Sequence, residues 1–250
     1  MAPLPFITPD WPAPPRIRAL CTVRSGGSSL TPFKSFNFGQ RVGDTPEALA
    51  ANLGTLTSAA SLPATPEWLV QVHGRRVVDL DLPGEREADA AFTREKGRVC
   101  AIQTADCLPV LFATRDGTAV AAAHAGWRGL AAGVLEATVA ALDEAAPGAE
   151  VIAWLGPAIG PAHFEVGADV VEAFEGQDPD AEIAFVANDR GRWQCDLYTL
   201  ARRALARVGV ASIHGGEHCT YAETARFYSY RRDAGRTGRM ASLIWIDPTP

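Results

Sequence analysis

Short apolar runs alternate along the chain with stretches of helical periodicity, and most runs end in a polar residue or a glycine. Continuous apolar runs bounded by turn residues are typical of buried strands, whereas apolar residues spaced three and four apart indicate a helix. Strands are therefore predicted over 16–24, 67–72, 99–104, 108–113, 119–123, 151–155 and 242–246. Helices are predicted from Asp44 or Thr45 onward, with Pro46 in the first turn, and over 130–145, 169–174 and 195–208. Because strands and helices intermingle, the predicted fold class is α/β or α+β.

The chain contains no internal repeat and no long linker, so a single domain is predicted over residues 16–250. Residues 1–15 include six prolines, which deny the backbone regular hydrogen bonding, and they are predicted to form an irregular N-terminal arm. The arm lacks the basic and apolar segments of a signal peptide. No run approaches the roughly 18 consecutive apolar residues that a membrane-spanning helix requires.

Composition and charge narrow the class of partner. Hydrophobic residues make up 47% of the chain, and the net charge is −6. This acidity argues against general binding to nucleic acid or to an anionic membrane, although it leaves room for a local basic pocket. The five cysteines show no CxxC spacing, which is typical of reduced thiols. We therefore expect a cytoplasmic monomer or weak homo-oligomer whose partners are small molecules, not nucleic acid or membrane.

Three polar residues lie where apolar strands give way to loops. His73 follows LVQV, Cys107 follows CAIQTAD, and His124 follows AVAAA, so they are 34 and 17 residues apart. Strand ends are where sheets collect ligand and catalytic groups. Two imidazoles and a thiolate could form a catalytic zinc site, which often has three protein ligands and leaves a fourth position free. Residues near them in sequence that could orient the imidazoles are Gln71, Gln103 and Asp106.

Other interpretations of these residues stay open. A lone histidine at a strand end is usually an ordinary hydrogen-bonded loop residue, and a buried cysteine is usually a small hydrophobe. Cys107 could instead be a nucleophile with a histidine base and Asp106 as the orienting acid, as in an amidase or acyl-transfer enzyme. A second candidate metal cluster comprises His214, His218 and Cys219, of which the two histidines have H-x3-H spacing.

Two loops carry candidate substrate-binding residues. Arg128 follows Gly126 at the predicted start of a helix and could clamp a phosphate or carboxylate. In SFNFGQRVGD, Asn37 suits recognition of a base or ribose hydroxyl and Arg41 suits an anion. Gln71, close to His73, is assigned to the same site. Each loop also has a competing interpretation. Trp127 could pack in the core while Arg128 is solvated, and Asn37 could form a turn while Arg41 is solvated. The segment RFYSYRRDAGRTGRM could form one further wall of a pocket through Phe227, Tyr228, Tyr230, Arg231 and Arg232.

Five segments together resemble the YfiH-like or laccase-domain family. They are QVHG at 71–74, ADCLPVLF at 105–112, HAGWRG at 124–129, LGPAIGPAHFEVG at 155–167 and FYSYRRDAGRTGRMASLIWI at 227–246. The resemblance implies one compact domain, a mixed β-sandwich flanked by helices. It also implies that the zinc ligands are His73, Cys107 and His124. One departure is Arg41, which stands where the family commonly has histidine, so any role carried by that position is open.

The resemblance further implies a zinc-dependent purine nucleoside enzyme. The implied reactions are phosphorolysis of adenosine, inosine, guanosine and methylthioadenosine, with inorganic phosphate as co-substrate, and hydrolytic deamination of adenosine. Editing of cell-wall precursors is attached to some members, and the family also carries a polyphenol (copper) oxidase label. The sequence disfavours the copper interpretation, because multicopper oxidases need about ten histidines as ligands and this chain has five.

Overall fold

The computed structural model describes residues 6–249, in which strands and helices alternate as the sequence predicts. The helices are α1 Pro46–Ala60, α2 Trp127–Ala131, α3 Val134–Ala145, α4 Ala168–Glu175 and α5 Leu197–Arg207. The strands are β1 Ile17–Cys21, β2 Glu67–Trp68, β3 Val77–Asp79, β4 Ala90–Thr93, β5 Val99–Thr104, β6 Leu108–Thr114, β7 Val120–Ala125, β8 Val151–Leu155, β9 Glu165–Val166, β10 Phe185–Ala187, β11 Trp193–Cys195, β12 Ser212–Gly215 and β13 Met240–Ile246. None of the helices in this range is long and apolar enough to cross a membrane.

The strands form three sheets. One sheet has the order β1-β13-β5-β2, a larger one has the order β12-β8-β6-β7-β4-β3, and a small one has the order β10-β11-β9. Most neighbours are antiparallel, whereas β2 and β5, β3 and β4, and β8 and β12 pair in parallel. The two larger sheets are therefore mixed.

The two larger sheets pack face to face, and helices cover their outer faces. Ile102 and Ile244 of the first sheet share a buried cluster with Leu111 and Ala122 of the second. The opposite face of the first sheet packs on α1 through Leu56. Alternate residues of β6, β7 and β8 point the other way, toward α3 and α5, as the period of two in a strand requires. The result is a mixed β-sandwich between helical layers, which confirms the predicted fold class.

Several predicted elements are confirmed closely. The strands at 99–104 and 151–155 have the predicted bounds, and α1 begins with Pro46 after Thr45 as N-cap. The Thr45 hydroxyl accepts a hydrogen bond from the amide of Ala48 at 3.2 Å. This satisfies one of the free amide donors in the first turn of α1.

Other boundaries were predicted wrongly. The run 67–72 is a strand only over Glu67–Trp68, with one further bridge from Val70 to Glu87. The helix predicted over 130–145 is two helices, because the chain turns at Gly133, whose φ of 90° suits glycine. Helical structure already begins at Trp127, before the predicted start at 130, and β7 extends to Ala125, so His124 lies within a strand and not after it.

The proline-rich segment lies along the edge of the first sheet where it is described. Ile7 and Cys21 exchange two backbone hydrogen bonds of 2.9 and 2.8 Å. Trp11 and Ala13 pack against the cluster between the two sheets. Residues 1–5 of the predicted arm lie outside the described residues.

Candidate active site

The fold brings His73, Cys107 and His124 together. Their ligand atoms all lie within 4.8 Å of one another, and His73 Nε2 is 3.9 Å from Cys107 Sγ. His124 lies on β7 opposite Pro109 of β6, which places Cys107 beside it at the start of β6. His73 reaches the same place from the loop after β2, with a left-handed φ of 62°. The predicted triplet is therefore one cluster in space.

The donor set fits zinc. A tetrahedral zinc with bonds of about 2.0–2.3 Å would hold two ligand atoms roughly 3.3–3.8 Å apart. The Sγ to Nε2 distance of 3.9 Å is close to this range, and the three donors leave one side facing a cavity. Imidazole and thiolate are the ligand types that zinc prefers. The residues present could therefore hold a metal ion with one coordination position open to a ligand.

Asp89 holds the ring of His124 and the backbone at His73, and the sequence interpretation missed it. Its fully buried carboxylate lies 2.8 Å from His124 Nδ1 and accepts hydrogen bonds from the amides of His73 and Gly74 at 2.9 and 2.6 Å. Burial alone would raise the pKa of Asp89, but these hydrogen bonds and the His124 charge hold it below its usual range. An ionised Asp89 fixes the proton on Nδ1 and directs Nε2 toward the cluster. Asp89 precedes β4, a strand that the sequence interpretation did not predict, so no local pattern singled it out.

The residues proposed from sequence to orient the imidazoles have other partners, so that prediction was wrong. The Asp106 carboxylate accepts from Thr220 Oγ1 at 2.6 Å, Ser229 Oγ at 3.0 Å and the Arg231 amide at 2.7 Å. The Gln71 side chain pairs with the backbone of Gln103, donating and accepting at 2.9 Å. Asp106 therefore ties together the loops around Cys107, and within residues 6–249 no histidine is hydrogen-bonded to its carboxylate.

Cys107 and His124 stabilise each other's charged forms. Burial raises the pKa of the Cys107 thiol, but the charges and hydrogen bonds of His124 and His73 outweigh it and bring the pKa well below its ordinary value. Burial lowers the pKa of His124, and the Cys107 thiolate and Asp89 outweigh that effect and raise it. The site therefore favours a thiolate at Cys107, which is the form that binds metals and acts as a nucleophile.

A cavity of about 560 Å³ opens above the triad. Its walls include four aromatic side chains, Trp68, Trp127, Phe164 and Tyr230. Four arginines also line it, namely Arg41, Arg128, Arg231 and Arg239. Asp106, whose carboxylate oxygens are both occupied, is the single acidic residue among the lining residues of the described chain. This acidic protein thus has a basic cavity that suits an aromatic ligand with an anionic partner.

Three of the four predicted substrate-binding residues line the cavity, and the fourth does not. Arg41, Gln71 and Arg128 line the cavity. Both arginines are exposed, and across residues 6–249 neither has a carboxylate within ion-pair distance; Arg128 lies over the Trp127 ring at 4.5 Å. Asn37 does not line the cavity: it is fully buried, and its amide bonds to Asp44, Gly39 and the backbone of Arg239.

The C-terminal segment supplies fewer wall residues than predicted. Tyr230 and Arg231 line the cavity, whereas Phe227 and Tyr228 are buried in the core. Arg232 binds backbone carbonyls at 220, 221 and 227 and the carboxylate of Asp233. The sequence interpretation missed Arg239, a half-buried arginine of the same segment that lines the cavity.

The second predicted metal cluster does not form. His214 Nε2 lies 2.9 Å from Ser212 Oγ, His218 Nδ1 lies 3.2 Å from Glu223, and Cys219 Sγ accepts from the Gly160 amide at 3.2 Å. Within the described range, His73, Cys107 and His124 are the one group of three or more histidines, cysteines or acids able to hold a metal. Three of the five histidines lie outside it, so a multicopper centre has too few ligands here.

The fold and the site define a mixed α/β protein with two larger sheets packed face to face, a small third sheet, and a His-Cys-His centre in a basic, aromatic cavity. Comparison with known proteins gives the family. The family model described as "Multi-copper polyphenol oxidoreductase laccase" matches residues 18–247. "Purine nucleoside phosphorylase PA4543" of Pseudomonas aeruginosa is 54% identical over 242 residues, covering 96% of this chain and 98% of its own. "Purine nucleoside phosphorylase YfiH" of Escherichia coli is 51% identical over 245 residues, covering 96% and 98%.

Solved structures agree with these sequence matches. The Neisseria meningitidis protein NMB0706 superposes with a TM-score of 0.91 at 50% identity, over 97% of this chain and 99% of that one. YlmD from Geobacillus stearothermophilus superposes with a TM-score of 0.87 at 30% identity, over 94% of each chain. The chain belongs to this YfiH family of laccase-like proteins.

Proposed function

We propose that the protein is a zinc-dependent purine nucleoside phosphorylase. The proposal rests on one observation: His73, Cys107 and His124 lie together in the wall of a cavity of about 560 Å³ that is also lined by arginines and aromatic residues. A nucleoside with phosphate needs both properties, namely flat apolar walls for the base and cations for the anion. The names of the relatives support the same reaction.

In phosphorolysis a phosphate oxygen attacks C1′ of the ribose, and the bond from C1′ to the purine nitrogen breaks. The products are ribose 1-phosphate and the free purine, which takes up the proton that hydrogen phosphate gives up on bonding to C1′. The aromatic walls would hold the purine, and the arginines would hold phosphate against C1′. Zinc bound by the triad would supply Lewis acidity. Asp89 would keep the His124 imidazole oriented throughout.

The proposal extends to the finer activities that the family resemblance implies. These are phosphorolysis of methylthioadenosine and hydrolytic deamination of adenosine at C6. We also propose a reducing, cytoplasmic setting, which the five free cysteines of the chain support.

The test incubates the purified protein with adenosine, inosine or guanosine, with and without phosphate, and separates the products by chromatography. We expect free purine and ribose 1-phosphate only when phosphate is present. Inosine formed from adenosine without phosphate would report deamination. His124→Ala should abolish the products and the bound metal. His214→Ala, at a histidine outside the cluster, should change neither. Equal product traces from His124→Ala and the unmodified protein would refute the proposal.

Cysteine chemistry is the second candidate, favoured by the lowered pKa of Cys107 and its 3.9 Å contact with His73. A Cys–His amidase would be active without metal and would lose activity on alkylation of Cys107. The proposed phosphorylase would lose activity on metal removal and regain it with zinc. Full amidase activity in metal-free protein would therefore favour the second candidate.

A further inference from the structure

We propose that Arg239 is the residue that binds the anionic co-substrate inside the cavity, and that the loop 37–39 holds it in place. The inference rests on the proposed function for the identity of the anion, which is inorganic phosphate. Four arginines line the cavity, and they differ in what their surroundings leave free.

The guanidinium of Arg239 is half-buried and only partly bonded. Its Nη1 donates to the carbonyls of Thr237 and Gly238, both at 3.0 Å. Its Nε and Nη2 have no acceptor within residues 6–249, and no carboxylate there forms an ion pair with it. Because Nε and Nη2 have no protein acceptor and the side chain lines the cavity, an anion entering the cavity would accept charge-assisted hydrogen bonds from them. Nε and Nη2 form the edge that suits a bidentate contact with phosphate.

The other three arginines have less reason to hold an anion tightly. Arg41, Arg128 and Arg231 are exposed, so water already solvates them and a surface ion pair gains little. Arg231 also donates to the carbonyl of Glu165 at 3.0 Å. These three make the mouth of the cavity basic, which attracts an anion without fixing its position.

The loop 37–39 fixes the backbone and the stem of Arg239. The Arg239 amide donates to Asn37 Oδ1 at 2.8 Å, and the Phe38 amide donates to the Arg239 carbonyl at 3.1 Å. A Cβ at Gly39 would lie 2.9 Å from Arg239 Cγ and 2.8 Å from Val42 Cγ1. Gly39 therefore leaves the space through which the arginine stem passes. This contact gives the buried Asn37 a positioning role in place of direct contact with substrate.

The first experiment compares Arg239→Gln, Arg239→Lys and Arg115→Gln. Arg115 is a remote arginine paired with Glu150, so its variant is the matched control. We expect Arg239→Gln to raise the KM for phosphate about 10- to 100-fold, the effect of losing hydrogen bonds to a charged group, with the nucleoside KM changed less than about threefold. Arg239→Lys keeps the positive charge but lacks the two-pronged guanidinium. Its phosphate KM should therefore lie between that of the unmodified protein and that of Arg239→Gln.

A second readout does not depend on turnover. Inorganic phosphate should raise the melting temperature of the unmodified protein and of Arg115→Gln beyond the effect of sodium chloride at equal ionic strength, and Arg239→Gln should lose that rise. Gly39→Ala, which keeps the arginine but crowds its stem, should also raise the phosphate KM. If phosphate still stabilises folded Arg239→Gln, or if its phosphate KM is unchanged, the assignment fails. A phosphate-dependent shift in protein that performs no phosphorolysis would instead refute the proposed function and keep the anion site.

Discussion

At the scale of single residues, Asp89 sets the geometry of the candidate metal centre. One buried carboxylate holds the ring of His124 and the backbone at His73 and Gly74. Because Asp89 is hydrogen-bonded to Nδ1 of His124, Nε2 is the ring nitrogen that can bind a metal. Two ligands that are distant in sequence are thereby held relative to each other before any metal binds, which reduces the ordering cost of binding.

Replacing Asp89 with asparagine should weaken metal binding. Asn has the same shape, but it carries no charge and turns a donor toward amides that need an acceptor. We expect Asp89→Asn to lower the affinity for zinc about 10- to 100-fold, measured by competition with a chromophoric chelator. Asp143→Asn, at an exposed position on α3, is the control. Unchanged zinc affinity in Asp89→Asn would show that the carboxylate does not orient the ligands.

At the scale of elements, the centre lies where β7 passes into α2. Gly126 connects them, and a Cβ there would lie 2.9 Å from His73 Cδ2 and 3.0 Å from Cys107 Sγ. Any side chain at this position would push two of the three ligands. The absence of a side chain at Gly126 therefore lets the β7–α2 connection lie against two of the three ligands.

A pair of glycine substitutions tests this contact. Gly126→Ala should lower zinc affinity at least about tenfold, because displaced ligands lose the orientation that binding needs. Gly54→Ala is the matched control: Gly54 is exposed within α1, with nothing within 4 Å of an added Cβ. It should leave zinc affinity unchanged and stabilise the fold by about 0.5–1 kcal/mol in urea unfolding. Normal zinc affinity in Gly126→Ala would contradict the role given to this contact.

The sequence predicted the strand-borne part of the centre better than its supports. Cys107 and His124 interrupt or end apolar runs, and that local signal places them at one edge of a sheet. Asp89 and Arg239 carry no comparable signal, because their importance comes from partners brought close by the fold: His124 is 35 positions from Asp89, and Asn37 is 202 positions from Arg239. The split between α2 and α3 was missed because a glycine within a helical pattern marks a break only when the fold gives it a left-handed φ.

At the scale of the whole molecule, charge is distributed unevenly. The chain carries −6 overall, yet four arginines surround one cavity. Elsewhere many arginines are paired with acids, as where Asp178 accepts from Arg203 at 2.6 and 2.8 Å and from Arg207 at 2.8 Å. These pairs tie the loop after α4 to α5, so the structural ion pairs and the basic cavity are separate features.

The Asp178 pairs should make stability depend on pH in a definite direction. Hydrogen bonds from Arg203 lower the pKa of Asp178 to about 2, so between about pH 4 and pH 2 the unfolded chain binds more protons. The stabilisation is therefore complete above about pH 5 and is lost as the pH falls toward 2. We expect Asp178→Asn to cost about 2 kcal/mol at pH 7 in urea unfolding, with the gap to the unmodified protein narrowing as the pH approaches 3. Asp180→Asn, at a carboxylate that is 78% exposed, should show a small, nearly constant difference. A gap for Asp178→Asn that stays constant from pH 7 to pH 3 would mean that the ion pair does not couple folding to this proton.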